Sequence, residues 1–441
     1  MKRFIYATLL EWKERRNHKP VIIEGIRQCG KTWILKHFGE AEFKDVAYFN
    51  FEYDNRLQKI FEDDLNVSRI IKDLGILRNK HIQPGNTILI LDEIQTCPRA
   101  ITSLKYFCEN LPELHVAAAG SLLGVAVAQM DQNISFPVGK VQMLRMYPLS
   151  FAEYLLAKGE DLLYDHLRNI SPDEKISGAF TGRLKEAYNE YLITGGMPEV
   201  VKSWVNNHDI EIVEEIQSEI LSNYEKDFVK YASVSEFPKL SLIWHAIPAQ
   251  LAKDNQKFIF AHVKQGSRAR DLEDSLQWLI SAGLIHKIEK ISRPYIPVTT
   301  YADVTYFKIY FSDVGLLRRM SKFPADVVFD KSPLTADMRG ILTENFVLTE
   351  LIANGSGTPF FWKSKGIAEV DYIIQNSVDV IPVEVKSAKM TRSRSLAEYR
   401  KKYTPRIAVR TSLNNITHHS DEYGEILEIP LYLLWRLKAY L

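Results

Sequence analysis

The stretch from Pro20 to Phe38, PVIIEGIRQCGKTWILKHF, decides the fold. A short apolar run, Val21 to Ile23, leads into Gly25-Ile26-Arg27-Gln28-Cys29-Gly30-Lys31-Thr32, and a segment with helical apolar spacing follows. This is G-x-x-x-x-G-K-T in a strand–loop–helix setting. Two glycines let the backbone curl so that successive N–H groups face one phosphate, with the N-terminus of the next helix behind them. Lys31 is expected to reach the β- and γ-phosphates and Thr32 to offer its hydroxyl to Mg²⁺. The expected nucleotide-binding set is therefore Gly25, Arg27, Gln28, Cys29, Gly30, Lys31, Thr32 and the adjoining Trp33.

Such a loop predicts a second, acidic strand, and TILILDEIQ (Thr87 to Gln95) supplies it. The continuous apolar run Ile88 to Leu91 suits a parallel strand buried on both faces. Asp92 at its end is expected to hold Mg²⁺ through water, and Glu93 to polarise a water for attack on the γ-phosphate. A carboxylate there favours hydrolysis over transfer to a small-molecule acceptor, which makes Lys31 and Glu93 catalytic candidates with ATP as nucleotide and Mg²⁺ as cofactor. A third strand, Leu114 to Ala118, runs into Ala119-Gly120-Ser121. Ser121 stands where a polar residue senses the γ-phosphate or caps the next helix. The strand AYFNFEYD (Ala47 to Asp54) lies between the first two motifs.

Together GIRQCGKT, LDEIQ, AAGS and VGKVQMLRMYPLSFAEYL resemble the prokaryotic AAA-superfamily ATPases that carry a DUF4143 C-terminal region. The resemblance continues through EYLITGGMPEVV (Glu190 to Val201), NYEKDFVKY (Asn223 to Tyr231) and FKIYFSDVGLL (Phe307 to Leu317), so it spans nearly the whole chain. It implies an α/β architecture: a P-loop parallel sheet in 1–155, a helical region in 156–235, a winged-helix-like domain in 236–335 and a restriction-endonuclease-like α/β domain in 336–441. The family shows Gly-Arg before the YPLSF block, whereas this chain has Gly139-Lys140 with Arg145 nearby. Lysine keeps the charge and loses the forked geometry, so no arginine finger is assigned.

Bulk properties agree with a folded, multidomain chain. Its 441 residues exceed one ordinary core, and 46% apolar with 25% charged residues is ordinary for a globular protein. A net charge of +1 gives no global pull toward nucleic acid, so any basic surface must be local. Cys29, Cys97 and Cys108 lack metal-like spacing and imply a reducing compartment. Val116 to Ala128, the most apolar run, is too short to span a bilayer. The N-terminus, amphipathic through Phe4, Leu9, Leu10 and Trp12, reads as a helix instead of a signal peptide. No membrane association and a cytoplasmic location are expected.

The middle third reads as helices interrupted at Gly195-Gly196-Met197-Pro198. From 236 to 293 the order is three helices and a strand, as in a winged helix. Its last helix begins Asp271-Leu272-Glu273-Asp274, which suits the helix dipole but repels phosphates. Arg268 and Arg270 soften that objection. Packing against protein is the favoured role, with DNA contact the other reading.

The C-terminal pattern is helix (from Gly340), strand, strand (EVDYII), turn, strand (VIPVEVKSA) and a basic helix. Many members of the resembling family carry this D…E-x-K order on a restriction-endonuclease-like core. Strand alternation puts Glu369 and Asp371 on one face, and Glu384 and Lys386 likewise. A turn centred between Ser377 and Val378 would set Asp371 opposite Glu384, about 5 Å apart. A divalent ion held by both, with Lys386 near the attacking water and Glu344 completing the metal shell, is the phosphodiesterase arrangement. A satisfied ion cluster on a half-buried sheet is the other. Eight basic residues between Lys386 and Arg406 (386, 389, 392, 394, 400, 401, 402, 406) face one acid, Glu398, which suggests DNA as a partner along that helix.

Two functions follow. One is a Mg-ATP-dependent ATPase coupled to a nuclease-like, nucleic-acid-directed C-terminal domain. The other is an ATP-dependent switch whose C-terminal domain only binds DNA or a protein partner, self-association included.

Overall fold

The computed structural model describes residues 1–128, 135–253, 256–328, 332–387 and 394–441, with side chains from 126 to 128 left aside. It divides into two units, Lys2–Tyr147 with Ser281–Gly283, and Pro148–Ile280 with Leu284–Leu441 and Met1. Among the described residues no helix is long and apolar enough to cross a membrane.

The first unit is built on strands β1 (Val21–Glu24), β2 (Asp45–Asn50), β3 (Thr87–Asp92), β4 (His115–Gly120) and β5 (Gln142–Arg145). They pair in parallel in the order β2-β3-β4-β1-β5. Every residue of β3 is buried, as its unbroken apolar run requires of a strand covered on both faces. Ala117, Ala118 and Ala119 give β4 small side chains in the sheet centre. β4 inserts between β1 and β3, while β2 sits at the edge beside β3. Helices 31–42 and 98–110 cover the sheet, the second opening with Pro98 in its first turn, where a missing N–H costs nothing.

The second unit begins with helices 151–157, 161–169, 178–194, 198–207 and 210–231, then 237–251, 260–263 and 269–281. Strands β6 (Ile285–Ile291), β7 (Ala302–Phe311), β8 (Phe360–Lys363), β9 (Glu369–Gln375), β10 (Val380–Val385), β11 (Ile407–Ser412), β12 (Thr417–Asp421) and β13 (Gly424–Pro430) follow. They form one eight-stranded sheet ordered β12-β13-β11-β10-β9-β8-β6-β7. The expected boundary at 335/336 is therefore no break in structure. β6, from the middle segment, pairs in parallel with β8 through Lys290–Phe361 and Ile291–Trp362. Helix 333–353 has eleven buried residues, a nearly all-round apolar face suited to an interior position in this unit.

Sequence blocks that looked unrelated meet in this unit. Leu149 N donates to Gly196 O (2.7 Å), Gly196 N donates to Asp313 Oδ2 (2.7 Å), and Phe151 N donates to Glu350 Oε1 (2.7 Å). Ser150 and Glu153 form a reciprocal capping box at the start of helix 151–157. A Cβ on Gly196 would lie 2.1 Å from Leu149 O, so no side chain fits there. The buried guanidinium of Arg318 then ties helices together by bonds to Ile193 O, Glu214 and Gln217.

Candidate functional site

Parallel strands bring their C-terminal ends to one side of the sheet, and the loop after β1 opens there. Gly25 has φ 154° and a Cβ on it would lie 2.2 Å from Met146 O, so the loop leaves β1 by a path only glycine takes. Lys31 is buried and its Nζ donates to Gly25 O (2.9 Å) and Ile26 O (2.8 Å), holding the ammonium within the loop. Thr32 Oγ1 donates to Asp92 Oδ2 (2.9 Å), which brings the two expected Mg²⁺ residues together. Ser121 is buried and follows the end of β4, where Gly120 pairs with Glu24 just before the loop. Trp33 is 45% exposed and stacks on His37 at 4.8 Å.

Four neighbours had no place in the sequence reading. Tyr48 OH donates to Asp92 Oδ2 (2.7 Å), and Asn50 Nδ2 reaches the same oxygen at 3.5 Å. Burial, then the bond to Asp92, pushes the Tyr48 phenol up to about 12, so it stays a donor at neutral pH. Their spacing of two in AYFN was the available signal, since alternate strand residues share a face. Gln95 Nε2 donates to Glu93 Oε2 (2.6 Å), fixing that carboxylate. The buried Arg3 donates to Cys29 O (2.9 Å) and Tyr147 O (2.6 Å), tying the loop to the second residue after β5. Of the two cations near the YPLSF block, Arg145 lies beside Glu24 at the loop end of β5 and pairs with it at 2.9 Å. Lys140 precedes β5, on the opposite side, and pairs with Glu109.

The donor set fits a magnesium nucleotide. A hydroxyl and a carboxylate meet at one corner, an ammonium lies inside a curled loop, and a second carboxylate follows the first.

The C-terminal strands make a second charged centre. The β9–β10 register ends on Val383 paired with Tyr372, and Glu384 and Asp371 are the next residues along their strands. Asp371 Oδ2 accepts from Val385 N (2.7 Å), and Glu384 Oε1 pairs with Lys386 Nζ (2.7 Å). Glu344 Oε2 accepts from Tyr310 OH (3.1 Å), while Tyr372 OH donates to Glu344 O (2.8 Å). Burial, then the Glu384 and Glu344 charges, holds the Asp371 carboxyl well above the usual carboxylate range. Burial also raises Glu344, although Lys308 opposes it.

Lys308 on β7, a lysine set in the apolar run FKIYF, is 2% exposed and pairs with Glu369 Oε1 at 2.5 Å. Its Nζ also donates to Gln256 Oε1 (2.9 Å), and that oxygen, 3.2 Å from Tyr310 OH, is the alternative acceptor for the one Tyr310 proton. Glu344, Asp371 and Glu384, the expected shell, each have an oxygen within hydrogen-bond distance of a group of the chain itself. Among the described residues no group of three or more His, Cys, Asp or Glu side chains is placed to hold a metal ion. Donors of the chain itself are bonded to both oxygens of Glu369, to Asp371 Oδ2 and to Glu384 Oε1.

A family model described as an AAA domain matches residues 17–155, and one described as a domain of unknown function, DUF4143, matches 339–432. The chain carries an AAA-type ATPase domain and a DUF4143 region. A further domain of unknown function, DUF8612, matches 185–327, across the expected boundary at 235/236. The uncharacterised protein MJ1544 of Methanocaldococcus jannaschii is 24% identical over 439 residues, covering 95% of this chain and 88% of its own. Among solved structures, the Walker-type ATPase PABY2304 of Pyrococcus abyssi is similar at 15% identity and TM-score 0.44, over 72% of this chain and 95% of that one. The Orc1 protein of Aeropyrum pernix, solved in complex with DNA, is similar at 13% identity and TM-score 0.30, over 73% and 91%.

The basic helix of the DUF4143 region, Arg394–Tyr403, is partly committed to structure. Arg400 is buried and bidentate to Asp421, at 2.9 and 2.5 Å. Arg406 pairs with Asp379 (2.8 Å), and Lys402 lies over the rings of Trp362 and Tyr403. Arg394 and Lys401 are exposed, whereas Lys389 and Arg392 lie outside the described residues.

Proposed function

We propose that this protein is a Mg-ATP-driven switch in which hydrolysis in the AAA-type domain controls a DUF4143 region that binds nucleic acid without cutting it. The Thr32–Asp92 bond beside the Lys31 loop supports the ATPase half. In the proposed step water attacks the γ-phosphorus, the bond to the departing ADP oxygen breaks, and Glu93 accepts the water proton. Gln95 keeps the Glu93 carboxylate aimed by its bond to Oε2. Lys31 faces the β- and γ-phosphates, and the loop N–H groups from Gln28 to Trp33 orient the rest of the triphosphate. Bound at Thr32 and Asp92, Mg²⁺ supplies charge neutralisation.

The binding half rests on the carboxylate centre, where protein donors occupy Glu369, Glu384 and Asp371. The helix–helix–helix–strand–strand order of 237–311 supports a winged-helix-like reading, and its strand β6 lies inside the sheet between β8 and β7, in keeping with a protein-packing role. The second reading, metal-dependent cleavage, draws on the β9–β10 register, beyond whose last pair Asp371 and Glu384 come next, with Lys386 paired to Glu384.

Incubation with plasmid, linear and single-stranded DNA decides between the two, run with Mg²⁺ or Mn²⁺ and with or without ATP. ATP-dependent mobility shifts with intact DNA are the expected result. Cleavage abolished by Lys386→Ala or Asp371→Ala would establish the second reading, and a Lys31→Ala variant that still turns over ATP would remove the first.

A further inference from the structure

We infer that Lys308 is the resident cation of the DUF4143 carboxylate centre, a lysine ammonium doing the charge-balancing work of a divalent ion, so that the wild-type centre takes up neither Mg²⁺ nor Mn²⁺. The inference deepens the binding reading above and rests on it.

Lys308 is supplied from outside the matched DUF4143 segment. It lies on β7, the outer strand of the hairpin whose inner strand β6 pairs with β8. The family resemblance supplies a D…E-x-K set on β9 and β10, and the cation enters from a strand two places beyond β8. At 2% exposure its ammonium has left water, a loss that opposite charge and hydrogen bonds must offset. Glu369 Oε1 at 2.5 Å and Gln256 Oε1 at 2.9 Å provide both. The Tyr310 hydroxyl lies within reach of both Gln256 Oε1 and Glu344 Oε2, its one proton serving either, and the Lys308 charge itself acts on Glu344, the carboxylate expected to complete a metal shell.

Charge balance points the same way. Four carboxylates (Glu344, Glu369, Asp371, Glu384) share the centre with three ammoniums, Lys308, Lys363 and Lys386. Mg²⁺ demands near-octahedral oxygen ligands and keeps several waters, so it needs open carboxylate oxygens converging on one point. Here Lys363 and Lys308 take the two oxygens of Glu369, and Val385 N takes Asp371 Oδ2. With every carboxyl ionised, as binding an ion through them would require, the surplus without Lys308 becomes two negative charges, the charge of one divalent ion.

Mn²⁺ titration of the nucleotide-free full chain, followed by loss of the free-ion paramagnetic resonance signal, tests this without DNA or ATP. Wild type and Asp371→Asn are expected to bind the same number of ions, because any weak site at Thr32 and Asp92 is common to both. Lys308→Met is expected to gain one ion, and adding Asp371→Asn to remove it. Lys308→Arg, which restores a cation, should gain none. An Asp371-dependent ion in wild type overturns the proposal even if Lys308→Met fails to fold. A folded Lys308→Met that gains nothing overturns it too. Failure of DNA binding would sink the parent reading and leave these titrations unchanged, so the two fail separately.

Discussion

Thr32 Oγ1 donates a 2.9 Å hydrogen bond to Asp92 Oδ2, joining residues 60 positions apart at the open end of the parallel sheet. The same oxygen accepts from Tyr48, so one carboxylate is oriented by a helix start and by a neighbouring strand. Asp92→Asn replaces a carboxylate with a group that balances charge poorly, and Lys31→Ala removes the ammonium inside the loop. Each is expected to lower ATP turnover by roughly 10²-fold or more, the scale for losing one electrostatic stabiliser of a transition state. Phosphate release at saturating Mg-ATP measures it, and near-normal turnover in either variant would contradict the assignment.

Glu93 and Gln95 separate chemistry from binding. Glu93→Gln removes the proposed proton acceptor, with kcat falling about 10²- to 10⁴-fold. The KM should move little, since Glu93 holds no loop phosphate. Gln95→Ala deletes the 2.6 Å bond that aims the carboxylate. It should lower kcat by roughly tenfold with KM again unchanged, the signature of an interaction made in the transition state. A rise in KM alone would instead make Gln95 a nucleotide-binding residue.

The sequence made the first unit's site legible because a phosphate loop is local. Eight consecutive residues carry its geometry, and β3 announces itself by an apolar run ending in Asp92-Glu93. Tyr48, Arg3 and Lys308 were not legible, since each acts on a residue far along the chain: Asp92, Cys29 and Glu369. Likewise the β9–β10 pairing, ending on Val383 and Tyr372, lies within one hairpin, while the β6–β8 junction that crosses the expected domain boundary joins strands separated by helix 333–353. Local patterns specify elements and turns; long-range strand pairing depends on edges that sequence periodicity does not rank.

Gly196 belongs to the packing of the second unit and not to any chemistry. Alanine there would put its Cβ 2.1 Å from Leu149 O and 2.8 Å from Leu149 N, both backbone atoms with little room to give. Gly196→Ala is expected to destabilise the unit by about 3 kcal/mol or more. Asp313→Asn keeps an acceptor oxygen and introduces donors facing the N–H groups of Gly196 and Leu316, so it should cost less. Chemical denaturation of the full chain reads both, and a neutral Gly196→Ala would show that Leu149 is free to move.

The two units should respond to pH with opposite signs. Burial lowers His115 to about 4, with His18 stacked on it at 3.7 Å, Trp12 and Phe43 edge-on, and the Lys13 carbonyl at Nε2. Unfolding raises that value toward 6.5, so the unfolded chain takes the proton first and this group costs the first unit stability as pH falls from 6.5 to 4. In the second unit burial raises Asp313 to about 6 and Glu350 to about 7. There the folded chain keeps protons that the unfolded chain has released, so their contribution declines as pH rises from about 4 to 7 and is level above that. Hydrogen exchange of peptides from β3 and from helix 178–194, corrected for intrinsic rates, should show protection moving in opposite directions between pH 4.5 and 7.5. His115→Phe should flatten the first slope and leave the second.

The basic helix of the DUF4143 region divides into structural and available charge. Arg400 is buried, bidentate to Asp421 and bonded to Gly424 O, so it pins helix 394–403 to the β12–β13 turn. Arg400→Ala removes the buried guanidinium and its bonds to Asp421 and Gly424 O, and because Asp421 is exposed and stays solvated it should cost only about 1–2 kcal/mol, below the range for a buried pair. Arg394 and Lys401 are exposed and open to phosphates. If nucleic acid lies along this face, Lys401→Ala should weaken binding evenly across sequences and reduce the slope of log affinity against log salt by about 1, with Arg394→Ala doing the same. Lys402→Ala should change the slope less, because its ammonium already rests over Trp362 and Tyr403. Filter binding from 50 to 300 mM salt gives the slopes. A salt slope untouched by Lys401 and Arg394 together would move the nucleic-acid face elsewhere on the chain, because counterion release counts the phosphates a residue neutralises regardless of base sequence.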